Sequence, residues 1–251
     1  FVFMYLAILI QIILHEAGHL VFGMITGYRF SSFRIGSFML VSDNGKIRIR
    51  KLTLAGTGGQ CLMSPPDQKD GKIPYVLYNM GGSIFNIITA GLFALAGMLT
   101  ENIALLSSFF MMLAIVGVAF AAINGIPMRL GTVNNDGYNA MSLGKDPKAL
   151  HSLWVQMKCN ELSVKGVRIK DMPEEWFVMP TAQEIKNSMI TPLGVLVCSR
   201  MMDRMEFEKA RQTMVEILEM DTGIVGLHRS LLTGDLIFCE LVCENKPEHI
   251  A

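Results

Sequence analysis

The residues of this chain best suited to chemistry are His15, Glu16 and His19, which stand together as His15-Glu16-Ala17-Gly18-His19, an HExxH arrangement. On a helix the two histidines lie one turn apart on the same face, so both imidazoles can reach a single metal ion. Glu16 projects beside them, placed to take a proton from water activated by that ion. The flanks, Phe1 to Leu14 and Leu20 to Ile25, carry no charged side chain. A glutamate and two histidines in a segment that lipid would otherwise claim are costly, and they mark function. The plainer reading is a core helix whose histidines are merely hydrogen-bonded; the rest of the chain weighs against it. A metal held by two histidines needs a third protein ligand and an open position. Asp136 is the only acid between Glu101 and Asp146 and follows directly on an apolar run. It is the best candidate, although Asn135-Asp136-Gly137 also reads as an ordinary turn.

The elements that must position these groups belong to a membrane protein. Hydrophobic residues make up 51% of the 251-residue chain, and mean hydropathy is +0.39. The formal net charge of +0 conceals an asymmetry: residues 1–28 and 73–128 contain no Lys or Arg, and their only acids are Glu16 and Glu101. Three apolar runs, about 1–26, 74–99 and 103–123, are each long enough to span a bilayer, which takes roughly 20 residues. Thr100-Glu101-Asn102 is so short that the second and third spans must form an antiparallel pair. Small residues such as Gly81, Gly82 and Gly91 let helices approach closely in lipid. With every basic residue between Arg29 and Lys72 or after Met128, the loop after the first span and everything after the third are expected on the cytosolic side. The five cysteines form no CxxC, and their odd number argues against a disulfide framework. No basic leader, cleavage site or initiating Met precedes Phe1, so the start reads as a trimmed chain rather than a signal peptide.

Between the first two spans the period changes. Residues 28–62 form a β-rich loop: Arg29 to Gly36 and Phe38 to Val41 read as strands, Asp43-Asn44-Gly45 as a turn, and Lys46 to Leu52 alternates charged with apolar residues. Its basic residues suit a solvated face beside anionic headgroups. One of its strand edges also offers a place for an extended peptide to add as a strand, and the sequence leaves open which strand is the edge. Gly56-Thr57-Gly58-Gly59-Gln60 and Ser64-Pro65-Pro66-Asp67 read as loop, without the spacing of a phosphate loop, so no nucleotide or nucleic-acid site is expected. Asp146-Pro147 marks an N-cap and first helical position, with Gly166 as the stop. Farther on, Phe207, Ala210, Met214 and Ile217 share one stripe of a helix, and another helix runs from about Thr222 through Leu227 and Leu231. The expected architecture is a mainly α membrane protein. Residues 1–145 form a core of three transmembrane helices with a small β-sheet insertion, and residues 146–251 form a cytosolic α-helical domain.

Taken together, the HExxH in a first span and Asn124-Gly125-Ile126-Pro127 with Asp136-Gly137 after a third resemble the site-2 protease family, the intramembrane zinc metalloproteases, over about residues 1–145. The resemblance implies zinc held by His15, His19 and Asp136, with Glu16 as general base. Gly81-Gly82-Ser83-Ile84-Phe85-Asn86 is similar to the family's Gly-rich helix start followed by Asn. That points to Asn86 near the scissile bond, and to Asn124 and Pro127 as further substrate-binding residues. A hydrogen bond between helices is the other reading of Asn86. Eight residues, Met128 to Asn135, separate Pro127 from Asp136, a longer gap than the family motif has, and Asn134 and Asn135 are the neighbours to test beside it. The Phe207 and Ala210 spacing weakly resembles tetratricopeptide hairpins.

The expected function is zinc-dependent hydrolysis of a peptide bond in a membrane-spanning or membrane-associated protein or peptide. The protein would be a multi-pass one of a bacterial cytoplasmic membrane, with lipid as its surroundings. Its C-terminal helices would be available to a protein partner. The alternative is a catalytically inactive membrane scaffold whose helical tail recruits that partner.

Overall fold

The computed structural model describes residues 1–43, 46–52, 58–130, 133–220, 224 and 226–243. It is mainly helical and divides into two compact units, one holding most of the chain up to Lys145 and the other taking it from Asp146 onward.

The first unit is built on three helices long and apolar enough to cross a membrane: α1 (Val2–Ile25), α2 (Tyr75–Leu99) and α3 (Ala104–Gly125). Pro74 caps the start of α2, where a missing N–H is harmless. The three helices pack on one another, and the closest approach rests on glycine. A Cβ on Gly18 would come within 2.3 Å of the Gly81 carbonyl oxygen, and one on Gly81 within 2.7 Å of the Gly18 carbonyl oxygen. Backbones in this contact leave no room for a side chain on either residue. The faces turned inward are polar or small, with Gln11, His15 and His19 on α1 and Asn79, Ser83 and Asn86 on α2. The faces turned outward carry Ile87, Leu92 and Leu95 on α2 and Leu105 and Ile115 on α3.

Between α1 and α2 lies a four-stranded antiparallel sheet of order β3-β2-β1-β4, made of β1 (Arg29–Ile35), β2 (Phe38–Asp43), β3 (Lys46–Lys51) and β4 (Gly59–Ser64). Charged and apolar residues alternate along β3, yet all six are exposed, because β3 is an edge strand that the described residues leave uncovered. The Asn44-Gly45 part of the expected turn lies outside the described residues, as do Gly56 and Thr57 of the expected loop. The rest of that loop departs from expectation. Gly59 and Gln60 open β4, which runs through Ser64 and pairs with β1 from Ile35↔Gly59 to Arg29↔Ser64. The paired glycines hid a strand that pairing with β1 and burial of Cys61, Met63 and Ser64 stabilise.

After α3 the chain does not make a simple turn at Asn135-Asp136-Gly137. Asn135 caps a short helix, α4 (Asp136–Ser142), its side chain accepting the Tyr138 N–H. In the second unit, Asp146 caps α5 (Pro147–Val164) by accepting the N–H groups of Lys148 and Ala149. Gly166 follows the helix with φ +83°, the left-handed conformation suited to a helix stop. Then come α6 (Thr191–Asp203), α7 (Phe207–Glu219) and α8 (Gly226–Cys243), with consecutive helices packed together. Thr222, the expected start of the last helix, is outside the described residues. Ala210, Met214 and Ile217 lie fully inside a core with Cys198, Leu232 and Cys239. The methionine here is core. All five cysteines are free.

Candidate metal centre

α1 and α4 bring His15, His19 and Asp136 together although 117 or more positions separate the aspartate from the histidines in the chain; their ligating atoms all fall within 4.8 Å of one another. The local geometry is tighter still. His15 Nε2 lies 3.0 Å and His19 Nε2 3.3 Å from Asp136 Oδ2, and the two Nε2 atoms are 3.2 Å apart. A tetrahedral ion with bonds of about 2.0–2.1 Å holds its ligands about 3.3 Å from one another. The triangle of donors therefore already has the size of one face of such a coordination shell.

The outer nitrogens of the two rings decide what faces that triangle. His19 Nδ1 donates to the Tyr78 carbonyl oxygen at 2.8 Å. His15 Nδ1 donates to Asn86 Oδ1 at 2.7 Å. With both Nδ1 atoms donating, each neutral ring turns a lone pair on Nε2 toward the carboxylate of Asp136. A carboxylate is an anion at neutral pH. Three electron-rich atoms within 3.3 Å of one another repel unless a positive charge sits between them. Two imidazoles and one carboxylate form a donor set that suits zinc.

Glycines allow the approach. A Cβ on Gly82 of α2 would fall 2.5 Å from the His15 ring, and one on Gly137 would fall 2.1 Å from the Gly125 carbonyl oxygen at the end of α3. Gly137 thus lets α4 seat its first turn against α3. Asn135 fixes that seat: its amide donates to the Ile123 and Ile126 carbonyls at 2.7 and 2.6 Å, and its oxygen accepts the Met128 N–H at 3.0 Å. Asn135 thereby holds Asp136 in place from the adjacent position. Glu16 is half-buried beside the histidines. It abuts β4 beside Cys61, where a Cβ on Gly59 would meet its Oε1 at 2.8 Å. The Cys61 carbonyl accepts the Tyr78 hydroxyl at 3.1 Å.

Three further residues are expected to bind substrate. Asn86 is fully buried, its amide held between His15 and α1. Asn124 donates to the Phe120 carbonyl one turn back on its own helix, and Pro127 is exposed beyond the end of α3. Sequence reasoning overlooked Gln11, which packs against Asn86. The signal was present: apart from Tyr5 it is the one polar side chain between Phe1 and Leu14, one turn ahead of His15.

Residues 3–105 match the family model described as Peptidase family M50, which is the site-2 protease family. The M50 match takes in α1, the sheet and α2, and so contains His15, Glu16, His19 and Asn86. It stops short of Asp136, which only the fold connects to the histidines. No curated protein and no solved structure matches the chain. The M50 match over residues 3–105 and the three apolar helices together support an integral membrane protein.

Proposed function

We propose that this protein is a zinc-dependent intramembrane endopeptidase that hydrolyses a peptide bond of a membrane-spanning or membrane-associated substrate. The observation that carries the proposal is the convergence of His15, His19 and Asp136, within apolar helices and beside Glu16. The three residues would hold the ion. Zinc bound there supplies Lewis acidity, which activates water and polarises a carbonyl. Glu16 does the proton work: its carboxylate takes a proton from the attacking water and returns it to the nitrogen of the leaving amine.

A substrate helix hides its carbonyls in its own hydrogen bonds, so the segment to be cut must be extended. The sheet has two edges to hold it. β3 is open along its whole length. β4 runs beside Glu16, and there the Cys61 carbonyl accepts from the Tyr78 hydroxyl. A peptide pairing with β4 would lie beside the Glu16 carboxylate. The distribution of basic residues supports a cytosolic position for the sheet and the second unit at a bacterial cytoplasmic membrane, where helical hairpins of the second unit would be available to a protein partner.

The test uses wild type and Glu16→Gln, each purified in detergent, assayed for zinc and offered a membrane-spanning peptide. Cleavage by wild type, lost in Glu16→Gln with zinc retained, supports the proposal. A wild type that holds no metal and cuts nothing leaves a membrane scaffold instead.

A further inference from the structure

The buried amides behind His15 form a chain whose direction is fixed at both ends by groups that cannot be reversed. Gln11 Nε2 lies 2.9 Å from the Leu113 carbonyl oxygen on α3. A carbonyl only accepts, so the nitrogen of Gln11 must point there and its Oε1 must point away. That oxygen receives Asn86 Nδ2 at 2.7 Å, and the same Nδ2 lies 3.2 Å from the backbone carbonyl oxygen of Gln11. A second carbonyl thus demands the Asn86 nitrogen on this side. The oxygen of Asn86 is left facing His15 Nδ1 at 2.7 Å, where it can only accept. Both amides are fully buried, so their polar atoms must find partners inside the bundle. α3 makes room for the relay with glycine: a Cβ on Gly117 would strike Gln11 Nε2 at 2.9 Å.

From this chain we infer that Gln11 and Asn86 are positioning residues: a backbone carbonyl of α3, acting through two side-chain amides, sets the tautomer of His15 and aims its Nε2 lone pair at the metal. The inference rests on the metal reading of His15, His19 and Asp136, and it gives Asn86 a task distinct from holding substrate. His19 needs no such relay, because a main-chain carbonyl, that of Tyr78, orients it directly. The two ligands of one helix are therefore secured by different means, and only that of His15 is exposed to side-chain substitution. Loss of an outer partner of a metal-bound histidine typically weakens metal binding about 10–100-fold.

The tautomer is read first, by nitrogen NMR of the full-length protein in detergent, metal-free and under mildly alkaline conditions. Wild type shows His15 protonated at Nδ1. Asn86→Leu and Gln11→Leu each show a mixture, while His19 is unchanged in both. Zinc affinity is then measured by competition with a chromophoric chelator. Each Leu variant binds about 10–100-fold more weakly than wild type. The double variant is no weaker than the worse single one, because the two amides act in series. Asn86→Asp still offers an oxygen to Nδ1 and recovers most of the affinity lost in Asn86→Leu. A mere packing role predicts the reverse, since Leu suits an apolar bundle better than a buried carboxylate does. Should Asn86→Leu fail to fold, Gln11→Leu, one residue farther from the metal, reads the relay alone. An unchanged His15 tautomer, or Leu variants that bind zinc as wild type does, overturns the inference. Wild type that takes up no zinc sinks the metal reading instead, and the metal-free tautomer still judges the relay.

Discussion

The two units of this protein fill their centres differently. Inside the first, α1 and α2 enclose Gln11, His15, His19, Asn79, Ser83 and Asn86, and turn Ile87 and Leu92 outward. Inside the second, Val195, Cys198, Met214, Ile217 and Leu232 are enclosed, while Lys148 and Arg168 lie outside. One rule yields both arrangements. Against water, hiding an apolar side chain is favourable at roughly 25 cal/mol per Å². Against lipid tails it gains almost nothing, and helices are joined by close packing and by hydrogen bonds instead. A bundle of the first kind can therefore hold a polar centre at its middle, provided that its groups satisfy one another. The Gly18–Gly81 crossing and the amides behind His15 meet that condition.

The sharpest way to break the comparison is to remove the member of the centre that arrives from outside the bundle helices. Asp136→Ala takes away one of three donors and leaves two imidazoles that hold a divalent ion weakly. Zinc measured in the purified protein falls from about one per chain to well below it, and cleavage of a membrane-spanning peptide disappears. Retention of a full equivalent of zinc would show that another group fills the third position.

Glu16→Gln ranks next. It preserves shape and removes only the proton acceptor, so cleavage falls about 10²–10⁴-fold while zinc content stays at the wild-type level. A variant that loses metal and activity together would mean that Glu16 is a ligand and not a base.

In the second unit the expected loss is of stability and not of chemistry. Ile217 is fully buried, and Ile217→Ala removes contacts that nothing replaces, at a cost of about 2–5 kcal/mol. Protease resistance of residues beyond Asp146 drops, and zinc bound by the first unit does not change. Loss of zinc in this variant would show that the two units fold as one.

How much of this was legible from the residues depends on how local the signal is. The three spans were, because composition alone carries them, and so was the histidine pair, fixed by one turn of helix. The cap at Asp146 and the stop at Gly166 were legible for the same reason. β4 was not, since a strand opened by Gly59 owes its existence to pairing with β1 across an intervening hairpin. The role of Asn135 was half visible: adjacency to Asp136 singled it out, but the Ile123 and Ile126 carbonyls that it holds are a matter of tertiary contact. Gln11 stood out in its apolar surroundings, yet nothing in sequence spacing ties it to Asn86, 75 positions away, or to a carbonyl on a third helix.

The smallest effects test the comparison itself, with one kind of substitution made in both units. Ile87 lies midway along α2 and is 52% exposed; Val178, in the second unit, is 67% exposed. By surface area alone a lysine should be tolerated at either position, and slightly better at Val178. By the argument above the two differ, because the surroundings of Ile87 are hydrocarbon and those of Val178 are water. Ile87→Lys costs about 2.5–3.5 kcal/mol of membrane insertion near a helix centre, so the fraction of chain recovered in the membrane falls. Val178→Lys shifts stability by no more than about 0.5 kcal/mol and leaves membrane recovery as it was. If Ile87→Lys inserts as well as wild type, either this face of α2 is covered by protein in the bilayer or lysine reaches the interface from there.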